Sequence, residues 1–471
     1  MEHEMTRGRR TIILVNACII TFMATLDASI VNIALPDISK ALHVGIESVQ
    51  WVVSSYLITI SATLLVWGRL ADLRGRRRFF AAGIGIFTVG SLLCGLSGDI
   101  TLLVFARVLQ ALGASMGMAL VQGIVTSIFP PKERGKALGF IGAVVSIGSL
   151  LGPSLGVVLV HFAGWPSIFF VNVPIGVIGV ILTFAVMPKT PRQEGDFDWP
   201  GAGIFGTMVV VFFVWLLTWQ AGLVSIPAMI GVPILTVVLL TLFLTIERRR
   251  RHPLIDGSLF SSPVFTLGIA AAWFSYVALF AYILFMPFYL QSARGLSPLA
   301  AGLLLSINPI VTAVLAPVSG GLSDRHGFLP FTVGGLAVTA CGLVLMATLG
   351  PSSSLVEVGA IIGFLGVGTA AFQSPNNSSI MGTVPRERLG VAGSINSLFR
   401  NLGMVSGTTF AVAVFSITTR TSMDQLSGAF DAATFITGFR FVTISAAAMA
   451  LAGSLVNLVR LGNRKAGVAA G

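Results

Sequence analysis

Charged residues are scarce in this sequence and make up 10% of its 471 residues, against about 25% in ordinary soluble proteins. Apolar residues make up 55%. This excludes a long water-soluble enzyme, and also a disordered chain, which needs low hydrophobicity and high charge. The three cysteines, Cys18, Cys94 and Cys341, lie in separate apolar stretches, so they indicate neither a disulfide framework nor a metal site. Neither a His-Glu-x-x-His motif nor a nucleotide-binding Gly-x-x-x-x-Gly-Lys motif occurs, so we expect no enzyme, no metal and no bound cofactor.

Long apolar stretches fill most of the sequence. A helix needs roughly 20 residues to cross a bilayer, and fourteen stretches reach that length. The predicted spans are Ile12–Ala34, Trp51–Leu70, Phe79–Leu96, Thr101–Val125, Ala137–Phe162, Ser167–Met187, Pro200–Gln220, Ile226–Ile246, Val264–Tyr289, Leu299–Gly321, Leu329–Leu349, Val356–Met381, Gly390–Thr418 and Ile436–Leu458. The sequence therefore predicts an all-α membrane protein. The first span is too long for a cleavable signal peptide and has no cleavage site.

The distribution of lysine and arginine predicts the orientation of the chain. Of 29 such residues, 23 fall in the termini and in the loops on one side, whereas three, Lys40, Arg294 and Arg420, fall on the other. Cytoplasmic loops are enriched in Lys and Arg, so both termini are predicted to lie in the cytoplasm of a cell with a bacterial-type plasma membrane. The same imbalance explains the net charge of +11 without a nucleic-acid partner.

Two motifs occur twice in the chain. Gly68–Gly75 matches Gly320–Gly327 at an offset of 252 residues, and Pro131–Arg134 matches Pro385–Arg388 at an offset of 254 residues. Such similar offsets indicate two homologous halves, with two further spans inserted between them. We predict a six-helix bundle over residues 1–187, linkers with two inserted spans over 188–262, and a second six-helix bundle over 263–471.

Five segments carry a further pattern: Leu26–Pro36, Gly68–Arg78, Arg107–Ala114, Gly148–Gly156 and Trp165–Pro174. In this order they resemble motifs of the major facilitator superfamily, and within it of the fourteen-span drug:proton antiporter branch. The resemblance implies two six-helix bundles, which alternate access to a central cavity, plus two inserted helices. It also implies an antiporter motif in the fifth span, formed by Gly148, Gly152, Pro153 and Gly156. This motif would be a bending point or a site of ordinary tight packing.

Asp27 is the one acidic residue predicted well inside a span. A carboxylate there costs roughly 2.5–3.5 kcal/mol on insertion scales, so we expect it to face a wet cavity or a partner. A changing environment would let Asp27 bind and release the coupling proton, with Arg107 of the fourth span as its partner. The alternatives are an Asp27 fixed to a neighbouring helix without a role in turnover, and an Arg107 that only pins helices together.

The repeated Gly-x-x-x-Asp segment is predicted to form a cytoplasmic gate. Asp72 can cap the N-terminus of an opposing helix or pair with a basic loop, and Asp324 is its counterpart in the second half. Gly68 and Gly75 allow backbones to approach closely, and Arg76 follows them directly. The alternative, ordinary positive-inside loop chemistry, accounts for the arginines but not for Asp72 or the glycines.

Aromatic, amide and basic side chains are the candidate substrate-cavity groups: Gln110, Tyr282, Tyr289, Asn308, Phe372, Gln373, Asn376 and Arg400. Aromatic and amide groups can hold an apolar or cationic guest, although each is also a common packing residue, and the sequence leaves the role of Arg400 open. Relatives that handle dications can carry an acid in the tenth span. Asn308 and Thr312 lie there instead, which favours neutral or monovalent lipophilic substrates.

Together these features predict a monomeric exporter that exchanges lipophilic small molecules for protons. One alternative is a dedicated proton-coupled exporter of a single endogenous metabolite, lipid or antibiotic. A more remote alternative is a membrane receptor or scaffold that transports nothing.

Overall fold

The described part of the chain is almost entirely α-helical. A computed structural model describes residues 5–189, 196–220, 226–250, 253–420 and 432–468. The helices are α1 (Arg7–Ala41), α2 (Ile46–Arg74), α3 (Arg76–Gly95), α4 (Ile100–Ile128), α5 (Pro131–Ala163), α6 (Ser167–Phe170), α7 (Asn172–Val186), α8 (Trp199–Gln220), α9 (Ile226–Arg249), α10 (Pro263–Phe288), α11 (Pro298–Leu305), α12 (Ile307–His326), α13 (Leu329–Ala347), α14 (Leu355–Gly382), α15 (Leu389–Thr419) and α16 (Ala432–Val468).

Fourteen helical segments of the described chain are long and apolar enough to cross a membrane. This confirms the predicted number of spans and the all-α fold class. Two spans consist of two helices each, namely α6 with α7 and α11 with α12. The inserted helix α9 exposes Ile230, Ile234 and Val237, as expected for a helix that faces lipid.

Two compact units make up the fold. Unit 1 comprises Met1–Ile128, Leu151–Phe260 and Val384–Leu398, and unit 2 comprises Phe129–Leu150, Ser261–Thr383 and Phe399–Gly471. Unit 1 holds most of the first half of the chain and unit 2 most of the second half, but the start of α5 is grouped with unit 2 and the start of α15 with unit 1. The inserted helices belong to unit 1, where α8 packs against α9 and α2.

Glycines bring the helix backbones together within each unit. A Cβ added to Gly83 of α3 would lie 2.8 Å from Cβ of Met116 on α4. In unit 2, a Cβ on Gly335 of α13 would lie 2.7 Å from the backbone nitrogen of Phe372 on α14. Gly83 and Gly335 are 252 residues apart, so the sequence repeat is also a packing repeat. Small residues at such interfaces are typical of membrane helices.

Candidate functional site

Asp27 lies near the middle of α1 and its residue exposure is 0%. Nη1 of Arg107 on α4 donates a hydrogen bond to Oδ2 of Asp27 at 2.5 Å, and Nε2 of Gln110 donates to Oδ1 at 2.8 Å. Arg107 Nη1 also donates to Gln110 Oε1 at 2.7 Å. These three side chains, which we call the Asp27 cluster, therefore close a ring of charge-assisted hydrogen bonds.

The surroundings of Arg107 compensate for the burial of its charge. Its Nε donates to the carbonyl oxygen of Val52 at 2.9 Å. Its guanidinium carbon lies 4.2 Å from the ring centroid of Tyr56 and 5.7 Å from that of Phe169. A buried ion pair is tolerated only when further hydrogen bonds and favourable contacts offset its desolvation. The Asp27 cluster meets that condition.

Local sequence explains why the cluster forms. Arg107 and Gln110 are three residues apart on α4, so both side chains lie on one helix face. Gly90 lets α3 approach this face, because a Cβ there would lie 2.5 Å from Cα of Gln110. Ser91, the next residue on α3, accepts a hydrogen bond from Gln110 Nε2 at 2.8 Å. The sequence predicted the pairing of Asp27 with Arg107 but not these neighbours.

The predicted antiporter motif lies in α5. A Cβ on Gly152 would lie 2.6 Å from Cβ of Ser29, and one on Gly156 would lie 2.9 Å from Cγ1 of Ile30. These glycines thus bring α5 close to α1 directly after Asp27. Gly148 is buried, and α5 continues without interruption past Pro153. The structure thus shows tight packing of α5 against α1 at this motif, whereas its role as a bending point stays a prediction.

The Asp72 carboxylate caps the start of α15 within unit 1. Its Oδ1 and Oδ2 accept hydrogen bonds from the backbone N–H groups of Gly390 and Val391, both at 3.0 Å. Arg76 Nε donates to Oδ1 at 2.9 Å, and Arg76 Nη2 donates to the carbonyl oxygen of Arg386 at 2.5 Å. A carboxylate at the free N–H groups of a helix start is stabilised by both the hydrogen bonds and the helix dipole. We call this set of contacts the first latch.

Two glycines make room for the first latch. A Cβ on Gly68 would lie 2.5 Å from Oγ of Ser394 and 2.6 Å from the carbonyl oxygen of Gly390. Gly75 has a φ of 100°, a backbone conformation that residues with a Cβ rarely adopt. The structure therefore explains both glycines of the repeated segment: Gly68 lets the helices approach closely, and Gly75 adopts a backbone angle that suits glycine.

The second copy of the segment makes the same contact in unit 2. Oδ1 and Oδ2 of Asp324 accept hydrogen bonds from the backbone N–H groups of Gly135 at 2.8 Å and Lys136 at 3.0 Å, near the start of α5. Ser374 on α14 donates to the carbonyl oxygen of Gly135 at 2.7 Å. We call this set the second latch. Asp324 is partly exposed, whereas the Asp72 side chain is 0% exposed.

The difference in burial predicts latches of unequal strength. Asp72→Asn is expected to accelerate backbone hydrogen exchange of residues 384–398 by about 30-fold, because hydrogen bonds to a buried charge contribute about 2 kcal/mol. Asp324→Asn is expected to accelerate exchange of residues 129–150 by at most about fivefold, as for a solvent-screened charge. Mass-spectrometric hydrogen exchange measures both segments in each variant, so each variant is the control for the other. Equal effects of the two variants would contradict the assignment.

The segment that leaves the inserted helices is attached to the first latch. Oδ2 of Asp256 lies 2.7 Å from Nη1 of Arg388, which directly precedes α15. Glu247 at the end of α9 accepts hydrogen bonds from the backbone N–H groups of Leu254 and Ile255 at 3.1 and 3.2 Å. These bonds fold the segment back toward α9. The sequence had given no role for the inserted pair.

Three of the predicted cavity residues are packed into the core of unit 2. The Tyr289 ring stacks on Phe439 with centroids 5.2 Å apart, and its hydroxyl donates to the carbonyl oxygen of Gly350 at 2.8 Å. Tyr282 is buried in the same hydrophobic cluster. Phe372 is buried beside Leu336. These contacts correspond to the packing alternative for each of the three.

The other predicted cavity residues are divided between the two units. Gln110 belongs to the Asp27 cluster in unit 1. In unit 2, Asn376 Nδ2 donates to the carbonyl oxygen of Gly268 at 3.0 Å, and Arg400 is partly exposed. Asn308 and Gln373 of unit 2 are partly exposed. Their assignment to a substrate cavity stays a prediction.

Sequence reasoning missed another buried guanidinium, that of Arg460 on α16, which lies beyond the predicted end of the last span at Leu458. Nη1 donates to the Oδ1 atoms of Asn376 at 3.1 Å and Asn457 at 2.6 Å. Nη2 donates to Ser379 Oγ and to the carbonyl oxygen of Val264, both at 2.9 Å. Asn457 and Arg460 are three residues apart, the spacing of Arg107 and Gln110, and this spacing was the available signal.

Known proteins share this architecture. The riboflavin transporter RibZ of Clostridioides difficile (strain 630) is 37% identical over 410 residues, which cover 87% of this chain and 89% of RibZ. The multidrug resistance protein Stp of Mycobacterium tuberculosis is 35% identical over 401 residues, which cover 83% of this chain and 73% of Stp. The solved structure of the proton:xylose symporter XylE has the same fold, with a TM-score of 0.63 and 14% identity over 94% of this chain and 95% of XylE.

The family comparison covers most of the chain. The family model described as Major Facilitator Superfamily matches residues 17–408, which include the Asp27 cluster and both latches. The relatives are named as transporters, among them multidrug resistance proteins, and this confirms the resemblance carried by the five sequence motifs. The chain therefore belongs to the Major Facilitator Superfamily of membrane transporters and not to an enzyme family.

Proposed function

We propose that this multi-pass membrane transporter exports lipophilic small molecules, neutral or monovalent cationic, in exchange for protons. The observation that carries the proposal is the fully buried carboxylate of Asp27, held by Arg107 and Gln110 near the middle of a spanning helix. A carboxylate beside a guanidinium favours its charged form, and one in apolar surroundings without a cation favours its protonated form. A change in the distance between α1 and α4 would therefore load and unload a proton on Asp27, with Arg107 as the residue that tunes it.

One such carboxylate is enough for useful export. A proton that crosses a potential of 100 mV releases about 2.3 kcal/mol. Since 1.4 kcal/mol is a factor of ten, this supports roughly a 40-fold gradient of a neutral substrate. Exchange of one monovalent cation for one proton is electroneutral and draws only on the pH gradient.

The two latches provide the conformational part of the proposal. Each joins the end of one spanning helix to the start of another helix from the other half of the sequence. The surrounding loops are those rich in arginine and lysine, so we assign both latches and both termini to the cytoplasmic side of a bacterial plasma membrane. In that orientation, formation of the latches closes the cytoplasmic side, and their release opens it. The transporter is proposed to act as a monomer.

A second candidate function is transport of one specific metabolite by the same proton-coupled mechanism. The observation in its favour is the 37% identity to a riboflavin transporter over 87% of this chain. The multidrug resistance relative, at 35% identity over 83% of the chain, supports the broader substrate class. The proposed exchange of protons is common to both candidates.

Flux through the purified protein in lipid vesicles tests the proposal. An imposed pH gradient is expected to drive ethidium, a monovalent lipophilic cation, and riboflavin, a neutral flavin, against their concentration gradients, with collapse on addition of a protonophore. Uphill movement of riboflavin without ethidium favours the second candidate. Protein-free vesicles are the control for passive leak. Movement of either dye that ignores the pH gradient would contradict proton coupling.

A further inference from the structure

Asn172, the first residue of α7, has a buried side chain with unused hydrogen-bonding capacity. Its exposure is 0%, and neither Nδ2 nor Oδ1 has a hydrogen-bond partner among the described residues. An unpaired buried amide costs about 1–3 kcal/mol, so such groups are rare in native structures and point to a function or to a second conformation. The motif comparison of the sequence included Asn172, but the proposed function above does not use it.

The packing of α7 against α1 and α3 shows which residues of those two helices lie at the same depth as Asn172. Each step of about one helical turn along α7 moves its contact by about one turn along α1 and along α3. Successive contacts of a Cβ added to the glycines of α7 are Gly179 with Ile19 and Ile84 at 3.3 Å, then Gly176 with Met23 at 3.2 Å and Thr88 at 3.0 Å. The order shows that α7 runs antiparallel to α1 and α3.

One further turn brings α7 to the Asp27 cluster. Asn172 lies four residues before Gly176 on the same helix face, and Asp27 lies four residues after Met23 on α1. Phe169 of α6, three residues before Asn172, continues the series, since its ring lies 5.7 Å from the guanidinium of Arg107. Asn172 is therefore at the level of Asp27. It lies between the contact of Gly176 with Met23 on one side and the contact of Phe169 with Arg107 on the other.

We propose that Asn172 is a positioning residue that binds the Asp27 carboxyl group after it has taken up a proton. This inference rests on the proposed function of Asp27 as proton carrier. A proton from water adds to one oxygen of the carboxylate and cancels the charge that held Arg107. The new O–H donates to Oδ1 of Asn172, and Nδ2 of Asn172 donates to the other carboxyl oxygen. Arg107 keeps its charge and its bond to the carbonyl oxygen of Val52.

The pairing explains why the amide is unpaired in this structure. An amide and a neutral carboxylic acid are complementary in two hydrogen bonds, whereas a carboxylate can use only the donor half of the amide. In this structure both oxygens of Asp27 accept hydrogen bonds from Arg107 and Gln110, and neither polar atom of the Asn172 amide has a partner among the described residues. The titratable side chains that the structure places at the Asp27 cluster are Arg107 on α4, which bonds to Asp27, Tyr56 on α2, whose ring lies against the Arg107 guanidinium, and Cys94 on α3, which donates to Gln110.

Infrared titration of the full chain in nanodiscs tests this without any substrate. The carboxylic C=O band of Asp27 is assigned by its disappearance in Asp27→Asn. Asn172→Leu is expected to lower the titration midpoint of that band by about one pH unit, because the protonated form loses its partner. A structural role predicts a lower melting temperature for Asn172→Leu. Our proposal predicts an equal or higher one at neutral pH, because no hydrogen bond is lost.

Two further variants complete the experiment. Asn16→Leu is the matched control, since Asn16 is also buried between α1 and α7 but is bonded to Thr183, and it should leave the midpoint unchanged. Asn172→Gln keeps the amide, so its titration midpoint should lie closer to that of the original chain than the midpoint of Asn172→Leu does. An unchanged midpoint in Asn172→Leu overturns the role of Asn172 but leaves Asp27 as proton carrier. Absence of any titrating Asp27 band overturns both.

Discussion

Asp27→Asn is expected to abolish uphill export of ethidium, so that a gradient of about tenfold, which an imposed difference of one pH unit sustains in a one-for-one exchange, falls to none. The amide has nearly the same size and can still accept a hydrogen bond from Arg107, but it cannot bind and release a proton. Arg107 also keeps its bonds to Val52 and Gln110. The amount of folded protein in the membrane should therefore stay close to normal.

Vesicle transport with an imposed pH gradient measures this effect. Exchange of labelled for unlabelled ethidium at equal concentrations, which needs no proton, should persist in Asp27→Asn. Asp37→Asn is the matched control, because Asp37 lies on the same helix but is exposed, and it should export normally. Uphill export that continues unchanged in Asp27→Asn would refute the assignment of the proton carrier.

Arg107→Ala is expected to destabilise the protein strongly at neutral pH. It leaves the Asp27 carboxylate buried without its cation, and removal of one partner of a buried pair costs about 3–5 kcal/mol. Protonation of the carboxylate removes most of this penalty. The difference in stability between the variant and the original chain should therefore shrink as the pH falls and grow as it rises.

Thermal unfolding across a pH series gives the measurement. Asp27→Asn/Arg107→Ala should be more stable at neutral pH than Arg107→Ala alone and should lack its pH dependence. Arg460→Ala is a useful comparison, because that buried guanidinium is held by amide, hydroxyl and carbonyl oxygens and not by a carboxylate. A loss of stability in Arg107→Ala that is equal at every pH would argue against the ion pair.

Much of this architecture is readable from the sequence because the membrane imposes simple rules. Every span must be long and apolar, so the count of fourteen was confirmed. A lone acid such as Asp27 needs a partner, and Arg107 was the buried cation of the first half with a polar neighbour on the same helix face. The capping contact of Asp72 also followed from its place at a helix end, beside glycines that permit close approach.

Other features depend on relations between helices that periodicity does not encode. A membrane-spanning helix is apolar on every side, whether that side faces lipid or other helices. The sequence therefore does not distinguish a helix face that packs Tyr282 or Tyr289 in the core from a face that lines a cavity. Arg460 lies beyond the predicted end of the last span at Leu458, whereas α16 extends past it to Val468. The level of Asn172 depends on the register between α7, α1 and α3, which is visible only in the folded structure.

The salt bridge between Asp256 and Arg388 connects the segment after the inserted helices to the start of α15, where the first latch forms. Both side chains are partly exposed, so the bond contributes no more than about 1 kcal/mol and weakens with ionic strength. A contact this weak would be able to break and re-form in each turn of the proposed transport cycle. Excision of residues 188–262 to leave a twelve-span protein would remove this anchor as well as lipid-facing surface. A binder that displaces the segment after α9 would therefore change the rate at which the contacts at the first turn of α15 form and break.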